Sequence, residues 1–546
     1  MQSLNIAKVV LRLTSNQMKK AVFKGILYLT LVSTAVVAQD IKGVVYHDLN
    51  GDGKRNRKEP GLGDVAVSNG LEVVKTDAKG QYTLPKRDSQ VIFVIKPSGY
   101  QSPLNRDNLP INYYIHKPKG SPADFKYSGS GPTGKLPASL DFPLLKKQEG
   151  EEFRVMVFGD PQPYTQQEVD FFEKDIVDEV AGISNVAFGL SLGDLVGNDL
   201  SLFSPYIKAV KKVGLPWYNL LGNHDMNFDA KVDSLSDETY EAHFGPANYA
   251  LNYGKVHFIV LDDVLYPDPR DDKGYWGGFR EDQLKFIEND LKHVSKDHLI
   301  VLAFHIPLMN DGIDQAGSYF RLADRNRLFS LLKDYPYTLS LSAHTHLQRQ
   351  NFYSKADGWQ QSKPHHEYNA GTTSGDWYSG QLKANGTPIS TMRDGTPKGY
   401  AFLHLKGNQY SIAYKVAGKP ASYQMEVFVP KVVEKRKSTS AGIFANFFMG
   451  TKGDKVVYAV DGKKWMPMEY MEAMDPKFLS TLMQFDQTEK LLNGRRPSNA
   501  EASTHLWRGK LPSNLPVGRH EIEIRATDRY GKTYSEKVQY LIAEKN

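Results

Sequence analysis

Trp217-Tyr-Asn-Leu-Leu-Gly-Asn-His-Asp225 is the stretch on which the reading of the fold turns. A short apolar run, of the kind a strand buried on both faces shows, stops at Gly222-Asn223-His224-Asp225, where three of four side chains can ligate a metal or carry a proton. The same arrangement recurs on either side. Phe153-Arg-Val-Met-Val-Phe158 runs into Gly159-Asp160-Pro-Gln162, and Val186-Ala-Phe-Gly-Leu-Ser-Leu192 into Gly193-Asp194. His298-Leu-Ile-Val-Leu-Ala-Phe304 ends at His305, and Thr338-Leu-Ser-Leu-Ser342 at Ala343-His344-Thr345-His346. Between them, residues 167–180 place Val169, Phe172, Ile176 and Val180 on one helical face, and residues 280–293 do so with Leu284, Ile287 and Leu291. This alternation predicts an α/β layered domain, in which ligands collect outside the carboxyl ends of the strands. A lone His at a strand end is usually a satisfied core or surface residue, and a lone Gly-Asp a turn. Five runs that each end in an oxygen or nitrogen donor form a functional pattern.

The order Asp-x-Gln, Gly-Asp, Gly-Asn-His-Asp, His, His-x-His resembles that of the calcineurin-like metallophosphoesterase superfamily, over residues 153–415. That family's pattern is Asp-x-His, Gly-Asp, Gly-Asn-His, His, Gly-His-x-His. The resemblance implies a four-layer α/β/β/α core, a β-sandwich flanked by helices, holding two metal ions. Carried over residue by residue, it implies that Asp160, Gln162 and His346 hold one ion and Asn223, His305 and His344 the other, with Asp194 bridging both. By the same resemblance His224 stabilises the transition state or protonates the leaving alkoxide, and either Asp199 or Asp225 orients it. The chemistry agrees. Two divalent ions about 3.5–4 Å apart clamp the attacking and leaving oxygens and make hydroxide available near neutrality. Only a carboxylate has two charged oxygens to share between ions, while imidazole and amide ligands leave the ions enough positive charge to stabilise a phosphoryl group in transfer.

Three departures from the family pattern carry information. Gln162 stands where the family has His; an amide oxygen is a weaker, harder ligand, which tilts the site towards Mn²⁺, with Zn²⁺ or Fe²⁺ as the alternatives. A similar Asp-x-Gln occurs in the Mn²⁺-dependent ADP-ribose and CDP-alcohol phosphohydrolases, so a pyrophosphate substrate is the leading alternative. Ala343 replaces a Gly, a mild change. Gly197 stands where purple acid phosphatases place an iron-binding Tyr, so no Fe³⁺–phenolate is expected. After the last metal motif, residues 365–377 and 393–400 are Gly-rich with hydrogen-bonding and aromatic side chains, and Asp376, Trp377 and Tyr400 are the candidates for contacts to the substrate.

The rest of the chain frames this domain, taken as residues 149–415. The 546 residues imply several domains of ordinary globular composition, with 40% hydrophobic and 24% charged residues. The absence of Cys excludes thiol chemistry, Cys-ligated zinc, disulfides and a lipid anchor on Cys. The net charge of +6 is concentrated at the start: Lys8, Arg12, Lys19, Lys20 and Lys24 are the only charges before Asp40. The remainder is nearly neutral and gives no general reason to expect a nucleic-acid partner. Cations followed by an uncharged run from Gly25 to Ala38, ending Val-Val-Ala, read as a secretory signal over residues 1–38, too short for a stable membrane span. The expectation is an exported protein, periplasmic or extracellular.

Residues 39–100 read as a small β-domain resembling the prealbumin-like repeats of bacterial surface proteins. Within it, Asp48-Leu-Asn-Gly-Asp-Gly-Lys-Arg-Asn-Arg-Lys-Glu59 has the spacing of a twelve-residue calcium loop. Asp48, Asn50, Asp52, Asn56 and Glu59 supply side-chain oxygens, Lys54 falls at the backbone-carbonyl position, and Gly53 takes the sharp turn. Residues 101–148 read as an irregular connector. From 416 to 546, alternating strands such as Lys455–Val460 and Arg519–Arg525 predict a β-sandwich-like domain. The three-part arrangement resembles secreted metallophosphoesterases of Bacteroidetes-type bacteria. The function expected is hydrolysis of a phosphate mono- or diester, small-molecule or glycan- or lipid-linked, by in-line attack of a metal-bridging hydroxide. The alternatives are the pyrophosphohydrolase and a surface-binding protein that has lost activity.

Overall fold

The computed structural model of the chain describes residues 40–309 and 319–545; the expected signal segment lies outside them. Residues 41–546 form one compact unit. At its centre two sheets lie face to face. One has the order Trp217–Asn219, Phe188–Ser191, Glu152–Phe158, Gly399–Lys406, Gln409–Val416; the other runs Tyr249–Tyr253, Val256–Val260, Leu299–Ala303, Thr338–Ser342, His365–Asn369, Arg349–Tyr353. The strands that end in candidate ligands pair in parallel, so their carboxyl ends gather at one edge of the sandwich.

The period of two explains why the runs are apolar throughout. Val155 and Val157 face the core between the sheets, with Val301, Ala303, Leu339 and Leu341 from the opposite sheet. Met156 and Phe158, like Ile300 and Leu302, point outward to the helical layers. Those layers hold the expected helices. Residues 166–180 form one helical stretch with a π-turn at Glu173–Val177, burying Val169, Phe172, Ile176 and Val180. Glu281–Leu291 buries Leu284, Ile287 and Leu291. This is the expected α/β core with β-rich flanks.

The N-terminal region is two four-stranded sheets. Residues 101–148 correct the expectation of an irregular connector. Tyr113–His116 pairs with Gln90–Val94, and Phe142–Lys146 lies parallel to Ile41–His47, so this segment completes both sheets. Leu140, Phe142 and Leu144 enter their shared core with Val45, Leu84 and Ile92. The long Pro- and Gly-rich run between these strands hides their short alternating patterns. The C-terminal region packs a four-stranded sheet against a five-stranded one around Ile443, Phe447, Trp507, Ile522 and Ile524. It adds the helix Pro476–Asp486, capped by Asp475 with Pro at its first turn. Among the described residues no helix is long and apolar enough to cross a membrane.

Candidate metal centre

The seven candidate ligands sit on five loops at one end of the sandwich, and backbone contacts draw those loops together. Gln162 N–H donates to the Asp194 carbonyl (2.8 Å). Two glycines permit the approach: a Cβ on Gly222 would fall 2.2 Å from the Asp194 nitrogen, and one on Gly193 would fall 2.6 Å from His305 Nδ1. Larger residues would force the Gly-Asp and Gly-Asn-His loops apart. Five candidates adopt left-handed backbone, with φ of 34° at Asp160, 41° at Gln162, 46° at Asp194, 69° at His344 and 53° at His346. Each such non-glycine residue costs about 1–3 kcal/mol, a strain that clusters at working sites.

The side chains converge. His305 Nε2 lies 3.2 Å from Asp194 Oδ2, 3.1 Å from Asn223 Oδ1 and 3.3 Å from His344 Nδ1. Asp194, His305 and His344 each offer one donor atom within 4.8 Å of the others. On the other side His346 Nε2 stands 3.3 Å from Asp160 Oδ2. The tautomers are fixed from behind: His305 Nδ1–H donates to the Leu192 carbonyl and His346 Nδ1–H to the Gly375 carbonyl, both at 2.8 Å. Each Nε2 therefore faces inward, the arrangement that backs metal-ligating imidazoles. Asp160 Oδ2 and Gln162 Oε1 are buried without a hydrogen-bond partner. Lone pairs that face one another with no proton between them repel, and a cation relieves that. The donor set fits divalent ions.

Electrostatics point the same way. Burial, reinforced by the positive charge on His305, holds His344 down to about 3, and burial holds His346 down to about 4, so both are neutral, ready ligands. Burial pushes Asp160 up to about 7, against His305. For Asp194 burial is outweighed by His305 and His224, which keep its carboxyl below the usual range. Burial of His305 is likewise outweighed by Asp194 and Asp160, which raise it to about 10. The Asp160 carboxyl is left with too little positive charge beside it to offset its burial.

His224 lies at the rim, half-buried, with Nε2 4.0 Å from Asp194 Oδ2. Neither expected carboxylate orients it. Its Nδ1 meets Asn198 Oδ1 at 2.6 Å. Asp199 instead caps a short helical turn through Ser201 and accepts from Tyr127 (3.0 Å). Asp225 accepts the backbone N–H groups of Leu195, Val196 and Gly222, tying two ligand loops together. A position one residue before Asp199 is reached because Asn198, at φ 71°, turns the chain back towards His224.

The substrate candidates divide. Trp377 stacks on His346, ring centres 4.1 Å apart. Asp376 is buried and accepts from Ser379 Oγ and the Ser498 N–H, both at 2.7 Å, so it organises a turn. Tyr400 is a core residue, 2% exposed, packed against Phe158 and Phe402; strand alternation points it to the helical layer, away from the site.

Besides Asn198, sequence reasoning missed four residues. Asp263 accepts the His305 and Ile306 N–H groups (3.0 and 2.9 Å) and so holds the His305 loop. The apolar run Val256–Val260 before Leu261-Asp-Asp263 is the same signal as elsewhere, overlooked. Tyr164 lies over Gly197, where an added Cβ would fall 2.6 Å from its ring, and its hydroxyl accepts from Gln162 Nε2 (3.3 Å), leaving Oε1 for the centre. Tyr275 packs edge-on to His344 at 6.0 Å. Arg393 donates to the Thr345 carbonyl, between the two imidazoles, and pairs with Glu501 of the C-terminal region. The last three depend on distant segments meeting, which no local pattern announces.

The N-terminal loop is also formed. Asp48 and Glu59 are buried, Asn50, Asp52, Lys54 and Asn56 exposed, and Asp48, Asp52 and Glu59 offer oxygens within 4.8 Å of one another.

Three family models match consecutive parts of the chain. Calcineurin-like phosphoesterase matches residues 153–348, the N-terminal region of calcineurin-like phosphoesterase residues 49–130, and the C-terminal region residues 367–534. No curated protein matches the sequence. Among solved structures, a purple acid phosphatase from yellow lupin seeds is similar at 11% identity and a TM-score of 0.30, over 88% of this chain and 70% of that one. A protein-tyrosine phosphatase of a psychrophilic Shewanella is similar at 10% identity and 0.21, over 60% and 96% respectively. Both overlays are too loose to carry an argument. The family models, which together span most of the chain, and the donor geometry agree: the chain belongs to the calcineurin-like phosphoesterases and is a metal-dependent phosphoester hydrolase.

Proposed function

We propose that this is an exported enzyme holding two divalent ions, Mn²⁺ first among them, that hydrolyses a phosphate mono- or diester. The observation that carries the reading is the pair of buried, unpartnered oxygens of Asp160 and Gln162 facing imidazoles whose other nitrogens are tied back. Asp160, Gln162 and His346 would hold one ion, Asn223, His305 and His344 the other, and Asp194 would serve both. When bound, the ions supply an acidified water and a clamp for the phosphoryl oxygens.

The chain's own residues do the rest. His224, with Nδ1–H held by Asn198, turns Nε2 towards the centre, where it can give a proton to the departing oxygen. Asp225 and Asp263 fix the loops, so little reorganisation accompanies the reaction. Trp377 narrows the entrance beside His346. The neutral amide of Gln162 supports the preference for Mn²⁺. The loop from Asp48 to Glu59 is read as a structural calcium site, and residues 1–38 as the export signal.

The test is metal-stripped protein reloaded with Mn²⁺, Zn²⁺ or Fe²⁺. Bound metal is counted by mass spectrometry, and turnover is followed on p-nitrophenyl phosphate and its bis-ester. Two ions per chain with restored turnover is the expected result; reloaded protein that binds no metal and stays inactive would end the proposal.

A further inference from the structure

Arg495 belongs to the C-terminal region but stands at the entrance of the metal centre. The strand Gly494–Arg495 pairs with Gly380–Gln381, just after the Trp377 loop. The Arg495 guanidinium donates one N–H to the Trp377 carbonyl. That loop is itself rigid: Trp377 and Tyr378 have φ of 46° and 56°, the Trp377 ring is stacked on His346, and the Tyr378 hydroxyl donates to the Pro161 carbonyl, between Asp160 and Gln162. Arg495 is thus tethered to a fixed wall of the cleft.

The neighbouring cations are spent. Arg496 is paired with both oxygens of Asp486, and Arg393 is held by Glu501 and the Thr345 carbonyl. The remaining donors of Arg495 meet no acceptor among the described residues, and its side chain is exposed at the rim, whereas the candidate ligands below are buried. A guanidinium anchored at one N–H with its other donors free is set to receive a planar or tetrahedral oxyanion.

We propose that Arg495 binds a second phosphate on the leaving-group side, so that the preferred substrates carry a phosphate adjacent to the one cleaved, as in a nucleoside diphosphate or a pyrophosphate-linked conjugate. This rests on the dinuclear phosphoesterase reading. In the reaction one water is consumed. Its oxygen bonds to one phosphorus of the pair while the bond from that phosphorus to the bridging oxygen breaks. The bridging oxygen keeps the electron pair and departs as part of the remaining phosphate, and the water's second proton goes to solvent or, through His224, to that oxygen. Arg495 offsets the charge that gathers on the departing phosphate.

ADP and AMP are a matched test, since they share every group except the second phosphate. For the Mn²⁺-loaded full chain, kcat/KM is measured on both, and the ratio ADP:AMP is compared among wild type, Arg495→Ala, Arg495→Lys and Arg496→Ala. Wild type is expected to favour ADP. The ratio should fall about tenfold or more in Arg495→Ala, the range of one hydrogen bond to a charged group. It should recover partly in Arg495→Lys and stay at the wild-type value in Arg496→Ala. A wild type that favours AMP, or a ratio unmoved within about twofold by Arg495→Ala, overturns the second-phosphate subsite alone. Failure of Mn²⁺-loaded wild type on AMP, ADP, p-nitrophenyl phosphate and its bis-ester alike overturns the phosphoesterase reading beneath it.

Discussion

Two sites of this protein carry clustered acidic oxygens, and they treat them differently. In the N-terminal loop the carboxylates are satisfied locally. Asp48 accepts from Gly51 and Gly53 N–H (2.7 and 2.8 Å), and Glu59 accepts from Asn56 and Leu49 N–H (2.8 and 3.2 Å). In the central site, buried oxygens of Asp160 and Gln162 have no partner, and five donors sit on strained backbone. A loop that can satisfy itself gains rigidity from a cation. A centre that leaves lone pairs unmatched depends on cations for its charge balance. The comparison separates the proposed stabilising ion from the proposed working ones.

The largest effect should come from Asp194, the proposed bridge. Asp194→Asn removes the shared charge and should lower kcat/KM about a thousandfold, with bound metal falling below two per chain by mass spectrometry. No such change attaches to Asp48→Asn, whose turnover should match wild type. Next, His224→Ala should reduce kcat about a hundredfold with metal content intact. Asn198→Ala should cost about tenfold, as expected for a group that orients another. Asp199→Ala should instead act on stability, by about 1 kcal/mol in a denaturant titration, as the loss of a cap would. If Asp199→Ala proves the more damaging to kcat, the assignment of Asn198 is wrong.

Chelation sharpens the contrast. Stripping metal should lower the melting temperature by several degrees through the central site. Adding calcium alone should raise it in wild type but not in an Asp48→Asn, Glu59→Gln double variant. Equal responses in both proteins would remove the N-terminal loop from consideration as a calcium site. The smallest effect concerns Gly197. Its substitution by Ala pushes on the Tyr164 ring and, through it, on the Gln162 amide, and should weaken Mn²⁺ affinity a few-fold in a direct binding titration.

The α/β core was legible because each strand is short, apolar on both faces and ends in a distinctive pair or triplet; register then follows from which residues face which layer. The convergence of Asp160, Asp194, Asn223, His305, His344 and His346 was legible for the same reason, since the ends of the parallel strands in the two facing sheets gather at one edge. What lay beyond reading depended on contacts that the local pattern does not encode. Asn198 rather than Asp199 meets His224 because of one left-handed residue. Tyr400 sits in a Gly-rich neighbourhood suggestive of a binding loop, yet it lies on a strand whose alternation buries it under the helical layer. Residues 113–116 and 142–146 are strands only because partners far earlier in the chain await them.

The Arg393 link has a consequence for how the molecule comes apart. One guanidinium spans the peptide between His344 and His346 and the Glu501 carboxylate, while the adjacent Asp394 accepts from Gln348 N–H and faces His505. Detaching the last quarter of the polypeptide would therefore leave the catalytic loops unbuttressed. Melting should trace a single cooperative event spanning both regions, and a shortened chain ending near residue 417 should fold poorly and bind cations weakly.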